Sequence, residues 1–173
     1  MPLAIRDARS GDIPAITRIY ARAVKEGTAS FEIEPPTEQE MARRFQALVD
    51  RNYPYVVAEL DGALAGYAYA GPYRPRPAYR WSVEDSVYVD PAAQRRGVGR
   101  ALLEQLIAAS EARDFRQMIA VIGDSEQIPS IELHRAAGFH YVGNIQNVGF
   151  KFGRWLDTVL MQRTLGPGAT TLP

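Results

Sequence analysis

The chain has 173 residues, with 20 Lys+Arg balanced by 20 Asp+Glu, and this zero formal charge argues against a dedicated nucleic-acid binder. It has no cysteine, which excludes disulfides, thiolate metal sites and a cysteine nucleophile, and its 2 histidines argue against a histidine-rich metal centre, so no metal is assigned. Apolar residues make up 46% and charged residues 23%, ordinary for a globular domain; no apolar run approaches the ~20 residues that span a bilayer, and Met1 to Arg6 shows no secretion signal, so the expected location is cytoplasmic, away from any membrane.

In chain order, Leu3 to Arg6 reads as a short first strand. Ser10, Gly11 and Asp12 offer caps for a helix carrying Ile13, Ile16, Ile19, Tyr20 and Ala23 at helical spacing. Residues 25–36 read as irregular, and Thr37-Glu38-Gln39-Glu40 is a capping box opening a helix with Met41, Phe45, Leu48 and Val49 inward. Tyr55 to Leu60 and Ala63 to Ala70 read as strands joined by a tight Asp61-Gly62 hairpin. The prolines of Gly71 to Pro77 predict a loop. Trp81 to Val89 is the next strand, followed by a glycine loop and a helix to about Arg113. Met118-Ile119-Ala120-Val121-Ile122 has the continuous apolar character of a buried parallel strand. Pro129 to Ala137 reads as a short helix stopped by Gly138, and Phe139 to Val142 and Leu156 to Arg163 as closing strands. Residues 166–173 are expected to fray, leaving residues 1–165 as one mixed α/β domain.

The segment joining the Trp81–Val89 strand to its helix is the most informative. Gln94-Arg95-Arg96-Gly97-Val98-Gly99-Arg100 bends tightly at its glycines, and the N–H groups of the loop and first helical turn lack intrahelical acceptors, so they converge on a site suited to phosphate. The spacing is neither the dinucleotide fingerprint nor a P-loop. It resembles the acetyl-CoA motif Q/R-x-x-G-x-G/A of the GCN5-related N-acetyltransferases; the plain alternative is a basic, glycine-rich turn capping an ordinary helix.

Further segments narrow the resemblance. They are Thr28-Ala29-Ser30-Phe31 with Glu34-Pro35; Gly71 to Trp81 leading into Glu84-Asp85-Ser86-Val87-Tyr88-Val89; Val121 to Glu126; Ser130 to Phe139; and Gly149-Phe150-Lys151-Phe152-Gly153-Arg154-Trp155-Leu156-Asp157. In this order they closely resemble the phosphinothricin and methionine sulfoximine N-acetyltransferases, over about Leu3 to Arg163. The resemblance implies the acyl-CoA N-acyltransferase fold, a central mixed sheet flanked by helices, and transfer of acetyl from acetyl-CoA to the α-amine of a small amino acid. It implies that Glu84 is the general base and His134 a second catalytic residue. Arg74, Arg76 and Tyr79 would hold the acceptor's acidic groups. Val87, Tyr88 and Val89 would pair with the pantetheine arm, and Arg95, Arg96, Gly97, Val98, Gly99 and Arg100 would hold the pyrophosphate. Gln127 and Ser130 fall beside the CoA arm, and Gln127 stands where the family usually has Asn. A homodimer is expected by the same analogy.

Each assignment has a structural alternative. Glu84 lies among apolar neighbours, where desolvation would raise its pKa and improve it as a base, yet an alternating strand also presents surface glutamates. His134 shares a helix face with Ile131 and Ala137, the usual setting of a hydrogen-bonded structural histidine. Pro75 and its neighbouring prolines stiffen the loop carrying Arg74 and Arg76, which favours preorganised carboxylate binding over a merely solvated loop. Phe31 and Tyr79 would line the acceptor pocket or serve the core. Tyr88 would protonate the departing thiolate or pack in the sheet. Two rival functions remain at this point: the same fold acetylating a protein N-terminus or a polyamine, and a catalytically silent acyl-CoA sensor.

Overall fold

In the computed structural model, which describes residues 2–173, the strands are Ala4–Asp7 (β1), Tyr55–Leu60 (β2), Ala63–Pro72 (β3), Ser82–Val89 (β4), Gln117–Gly123 (β5), His140–Lys151 (β6) and Arg154–Thr164 (β7). The helices are Ile13–Glu26 (α1), Glu38–Val49 (α2), Val98–Glu111 (α3) and Ile128–Ala136 (α4). The strands form one mixed sheet in the order β1-β2-β3-β4-β5-β7-β6. Its neighbours are antiparallel except β4 and β5, which run parallel through the α3 crossover. This is the helix-flanked mixed sheet that the sequence predicts.

Strand alternation divides the core in two. Ile16, Val24, Met41 and Phe45 of α1 and α2 pack on Tyr55, Val57 and Tyr67. On the opposite face, Leu102, Leu103 and Leu106 of α3 pack on Val56, Ala68, Val83 and Met118, with Ile131 and Leu133 of α4 beside them. The β2–β3 turn forms at Asp61 and Gly62, both with positive φ (53° and 83°), as an Asp-Gly hairpin requires. Thr37 caps α2 through its hydroxyl, which accepts from the Glu40 N–H. The return half of the predicted capping box does not form, because the Glu40 carboxylate pairs with Arg43 and Arg44.

Gly71 and Pro72, expected in a loop, end β3 opposite Glu84 and Val83, and Val49, expected inward, is exposed at the end of α2; three longer stretches also differ from the sequence reading. Residues 143–155, not assigned to strands, complete a long β6–β7 hairpin that turns at Phe152 and Gly153 (φ 52° and 73°). Its alternation is hidden because most of β6 is exposed on both faces. β5 is not covered throughout: Val121 is 38% exposed, where its neighbour β4 has departed. Residues 166–173, expected to fray, are strapped down by the Arg116 guanidinium, which donates to the Gly168 carbonyl (3.0 Å) and the Thr171 hydroxyl (2.9 Å).

Candidate active site

The parallel pairing of β4 with β5 runs only from Ser82↔Gln117 to Asp85↔Ala120. Beyond it β4 stays with β3, while Val121 to Gly123 of β5 stay with β7. The strands therefore part, and a groove of about 970 Å³ opens along Val87, Tyr88 and Val89 towards the N-terminus of α3. Gln127, Ser130 and Leu133 of the α4 region form its other wall, together with Gly27 and Ala29 from the loop after α1.

At the far end of the groove the chain turns through Arg95 (φ 59°) and Gly97 (φ 81°) into α3. Gly97 sits at the N-cap in the left-handed region, where a side chain is strained. The N–H groups of Val98, Gly99 and Arg100 begin the helix and have no acceptor within it, so the helix presents donors and the positive end of its dipole to the groove. Strand edge, groove and N–H cradle fit the pantetheine arm and diphosphate that the sequence resemblance implies. Arg96 departs from that expectation. Its side chain does not face the groove but reaches across to Asp61 in the β2–β3 turn (2.9 Å). Arg100 is on the groove wall yet pairs with Glu104 at 2.7 Å, one helical turn on. Arg95 also lines the groove, so its side chain joins the backbone donors there.

Glu84 and His134 come from opposite sides of β4. Glu84, Ser86 and Tyr88 project towards α1 and α2, whereas Val83, Asp85 and Val87 project towards α3 and α4. Glu84 lies at the register position just before the strands part. Burial, reinforced by the neighbouring Asp85 charge and opposed by Arg74, pushes its pKa up to about 7. That brings a carboxylate that titrates near neutral pH onto the α1–α2 side of β4, three residues before Val87, where the strand begins to line the groove.

His134 is buried, and both of its ring nitrogens are engaged. Nδ1 lies 2.7 Å from the Ser130 carbonyl, where it must donate, and Nε2 lies 2.8 Å from Asp85 Oδ2. Burial, the largest influence, lowers its pKa, but the charge and hydrogen bond of Asp85 and the Ser130 carbonyl together outweigh it, and the net shift is upward. Its ring stands edge-on to Phe139. Both ring nitrogens are thus turned to protein acceptors, which ties the imidazole to β4 and to its own helix. Tyr88 packs its ring edge-on to Tyr20 (5.1 Å) and stacks it on Tyr67 (5.3 Å). Burial above all raises its pKa well beyond the ordinary value, so the phenol stays protonated at neutral pH.

Arg74, Pro75, Arg76 and Tyr79 are exposed on the loop after β3, where the Arg74 guanidinium lies over the Tyr73 ring and Tyr79 meets the same ring edge-on. Arg74 is the member of this group whose charge reaches Glu84. Phe31 lies in a notch between Gly123 and Gly149, where a Cβ at either glycine would collide with its ring. Gln127 reaches across the groove wall to the Thr28 hydroxyl (3.0 Å), a span that suits its longer side chain. Sequence reading overlooked Asp85 as the partner of His134, and Asp124 and Lys151 as anchors of the loop after α1. Alternation on β4 was the signal for Asp85, since it points away from Glu84 and towards α4. No local pattern marks the other two, whose partners lie about a hundred residues away.

Comparison with known proteins agrees with this geometry. The chain matches the family model of the Acetyltransferase (GNAT) domain over residues 5–160. It is 56% identical over 169 residues to the phosphinothricin N-acetyltransferase of Alcaligenes faecalis, covering 98% of this chain and 86% of that protein. It is 40% identical over 168 residues to the L-methionine sulfoximine/L-methionine sulfone acetyltransferase of Pseudomonas paraeruginosa, covering 96% and 97% respectively. The crystal structure of a GNAT superfamily phosphinothricin acetyltransferase from Sinorhizobium meliloti, in complex with AcCoA, superposes with a TM-score of 0.97 at 50% identity, covering 100% of this chain and 94% of that one.

Proposed function

This chain belongs to the GNAT acetyltransferase family and is an acetyl-CoA-dependent N-acetyltransferase of amino acids, and from that premise we propose that its acceptors are L-phosphinothricin, L-methionine sulfoximine and L-methionine sulfone, acetylated on the α-amine by direct attack. Glu84 carries the reading: a carboxylate with a pKa of about 7 at the point where β4 leaves β5. Acetyl-CoA supplies an acyl group activated as a thioester. The backbone N–H groups of Val98 to Arg100 hold its diphosphate, and the β4 edge from Val87 to Val89 orients its arm.

The α-ammonium of an amino acid is protonated at neutral pH and cannot attack. Glu84 takes that proton, directly or through water, and the neutral amine then attacks the acyl carbon. One N–C bond forms, the thioester C–S bond breaks, and the second proton that the nitrogen loses on becoming an amide goes to the departing sulfur. No cysteine is present to carry the acetyl group, so the transfer is direct. Arg74 faces the acceptor's acidic end and Arg76 assists from the same loop, while Phe31 and Tyr79 close the pocket. His134 acts at one remove: by holding Asp85 it fixes the backbone of β4 beside Glu84. Tyr88 shapes the wall of the cleft.

We also assign a homodimer formed through the β6–β7 hairpin. Tyr141, Val142, Val148, Phe150 and Trp155 are all more than half exposed there, more apolar surface than an isolated hairpin usually presents to water. Acetyl-CoA as cosubstrate carries a cytoplasmic location, and among the described residues no helix is long and apolar enough to cross a membrane.

Thiol release from acetyl-CoA tests the acceptor assignment. The panel is phosphinothricin, methionine sulfoximine, methionine sulfone, ordinary amino acids, spermidine and a short peptide. Turnover with the first three is expected. Turnover confined to spermidine or the peptide would overturn the assignment.

A further inference from the structure

Lys151 has no part in the chemistry above, yet it is among the most deeply buried cations of the chain, at 4% exposure. It ends β6, and its ammonium donates to the carbonyls of Gly27 (2.9 Å) and Ser30 (2.8 Å) in the loop after α1. Gly27 is the C-cap of α1, so the ammonium also sits at the negative end of that helix dipole. Burial lowers the lysine pKa, which shows that its placement has a desolvation cost.

A second tie reaches the same loop from the other side of the hairpin turn. Arg154, the first residue of β7, pairs with Asp124 Oδ2 at 2.7 Å. The same oxygen accepts from the Thr28 hydroxyl at 2.8 Å, and Gln127 donates to that hydroxyl. Between the two ties, Gly123 and Gly149 leave the space that the Phe31 ring occupies. The held loop supplies Gly27 and Ala29 to the groove wall.

We propose that the β6–β7 turn is a clamp on the acceptor side of the active site, with Lys151 the positioning residue that holds residues 27–31 and sets Phe31 in place. The inference rests on the acceptor reading above for its kinetic consequence, but not for its structural one. Lysine suits the task because one flexible stem delivers several donors, one to the Gly27 carbonyl that the end of α1 leaves without a helical partner and one to the Ser30 carbonyl beyond it.

Lys151→Met keeps the length of the side chain and removes the ammonium. Amide hydrogen exchange of the protein without substrates is the first readout. Faster exchange confined to about residues 27–31 is expected, and unchanged exchange there overturns the proposal. The second readout is kinetic. Acceptor kcat/KM should fall roughly 10- to 100-fold, the scale of losing a charge-assisted hydrogen bond, while acetyl-CoA affinity by calorimetry falls by a clearly smaller factor, since the cosubstrate groove meets this loop only at Gly27 and Ala29. An equal loss for both substrates overturns it. If Lys151→Met does not fold, Arg154→Met replaces it, since Arg154 is part-exposed and acts on the same loop through Asp124 and Thr28. A wild-type enzyme inactive on every amino acid would sink the acceptor reading and leave the exchange result to decide the clamp alone.

Discussion

Asp85 Oδ2 and His134 Nε2 lie 2.8 Å apart, with side chains 2% and 5% exposed, and join β4 to α4 behind the strand position that carries Glu84. Removing one partner leaves the other buried and uncompensated. His134→Ala is therefore expected to destabilise the fold by about 3–5 kcal/mol, measured by urea unfolding. The pH dependence has a definite sign. The histidine pKa is raised on folding, so its contribution is fully present below the ordinary value of 6.5 and lost as pH climbs through the higher folded value. The difference between wild type and variant should thus be larger at about pH 6 than at about pH 9.

Glu84 predicts the opposite trade. Its pKa is raised from 4.5 to about 7, so ionising it above neutrality costs folding free energy. Glu84→Gln removes that cost and should stabilise the protein at about pH 8 by about 1–2 kcal/mol, allowing for the partial exposure of the group to water. Melting temperature checks it: a rise of about 3–6 °C is expected, with no gain at about pH 4.5.

The parts of this molecule written in local pattern are legible in the sequence alone. Asp61-Gly62 announces its hairpin because positive φ at both positions leaves few other residues eligible. The loop from Gln94 to Arg100 announces the N–H cradle because strand, glycines and amphipathic helix are contiguous. What escapes is long-range. Nothing near Lys151 tells that its ammonium ends on carbonyls of the loop after α1, and nothing near Arg96 tells that Asp61, not the groove, takes its charge. The hairpin strands are hidden for a different reason: a strand exposed on both faces has no apolar–polar alternation to read. His134 is a question of geometry, since its helix face suggests burial and only the distances show both nitrogens engaged.

Gly97 provides a test of the cradle. At φ 81°, with no atom within 4 Å of the point a Cβ would occupy, alanine meets strain and not collision. Gly97→Ala should cost about 1–2 kcal/mol of left-handed backbone strain, or shift the loop to relieve it. Acetyl-CoA affinity is expected to fall about 10-fold by calorimetry, with little change in acceptor KM.

Phe150 and Trp155 meet edge-on, 5.1 Å apart, on the exposed hairpin. Phe150→Glu places a charge in the surface assigned to subunit contact and should shift the protein from dimer to monomer in sedimentation equilibrium. A wild-type protein that sediments as a monomer would remove the dimer from the account.

The most direct test of the central claim is the pH dependence of kcat/KM for acetylation of phosphinothricin by the wild type and Glu84→Gln. The wild type should lose activity as pH falls through about 7, where Glu84 takes up its proton. Glu84→Gln should lack that limb and be slower by about 10²- to 10⁴-fold at its optimum, keeping only the rise due to the acceptor's own amine. A variant that retains both the rate and the limb would contradict Glu84 as the base.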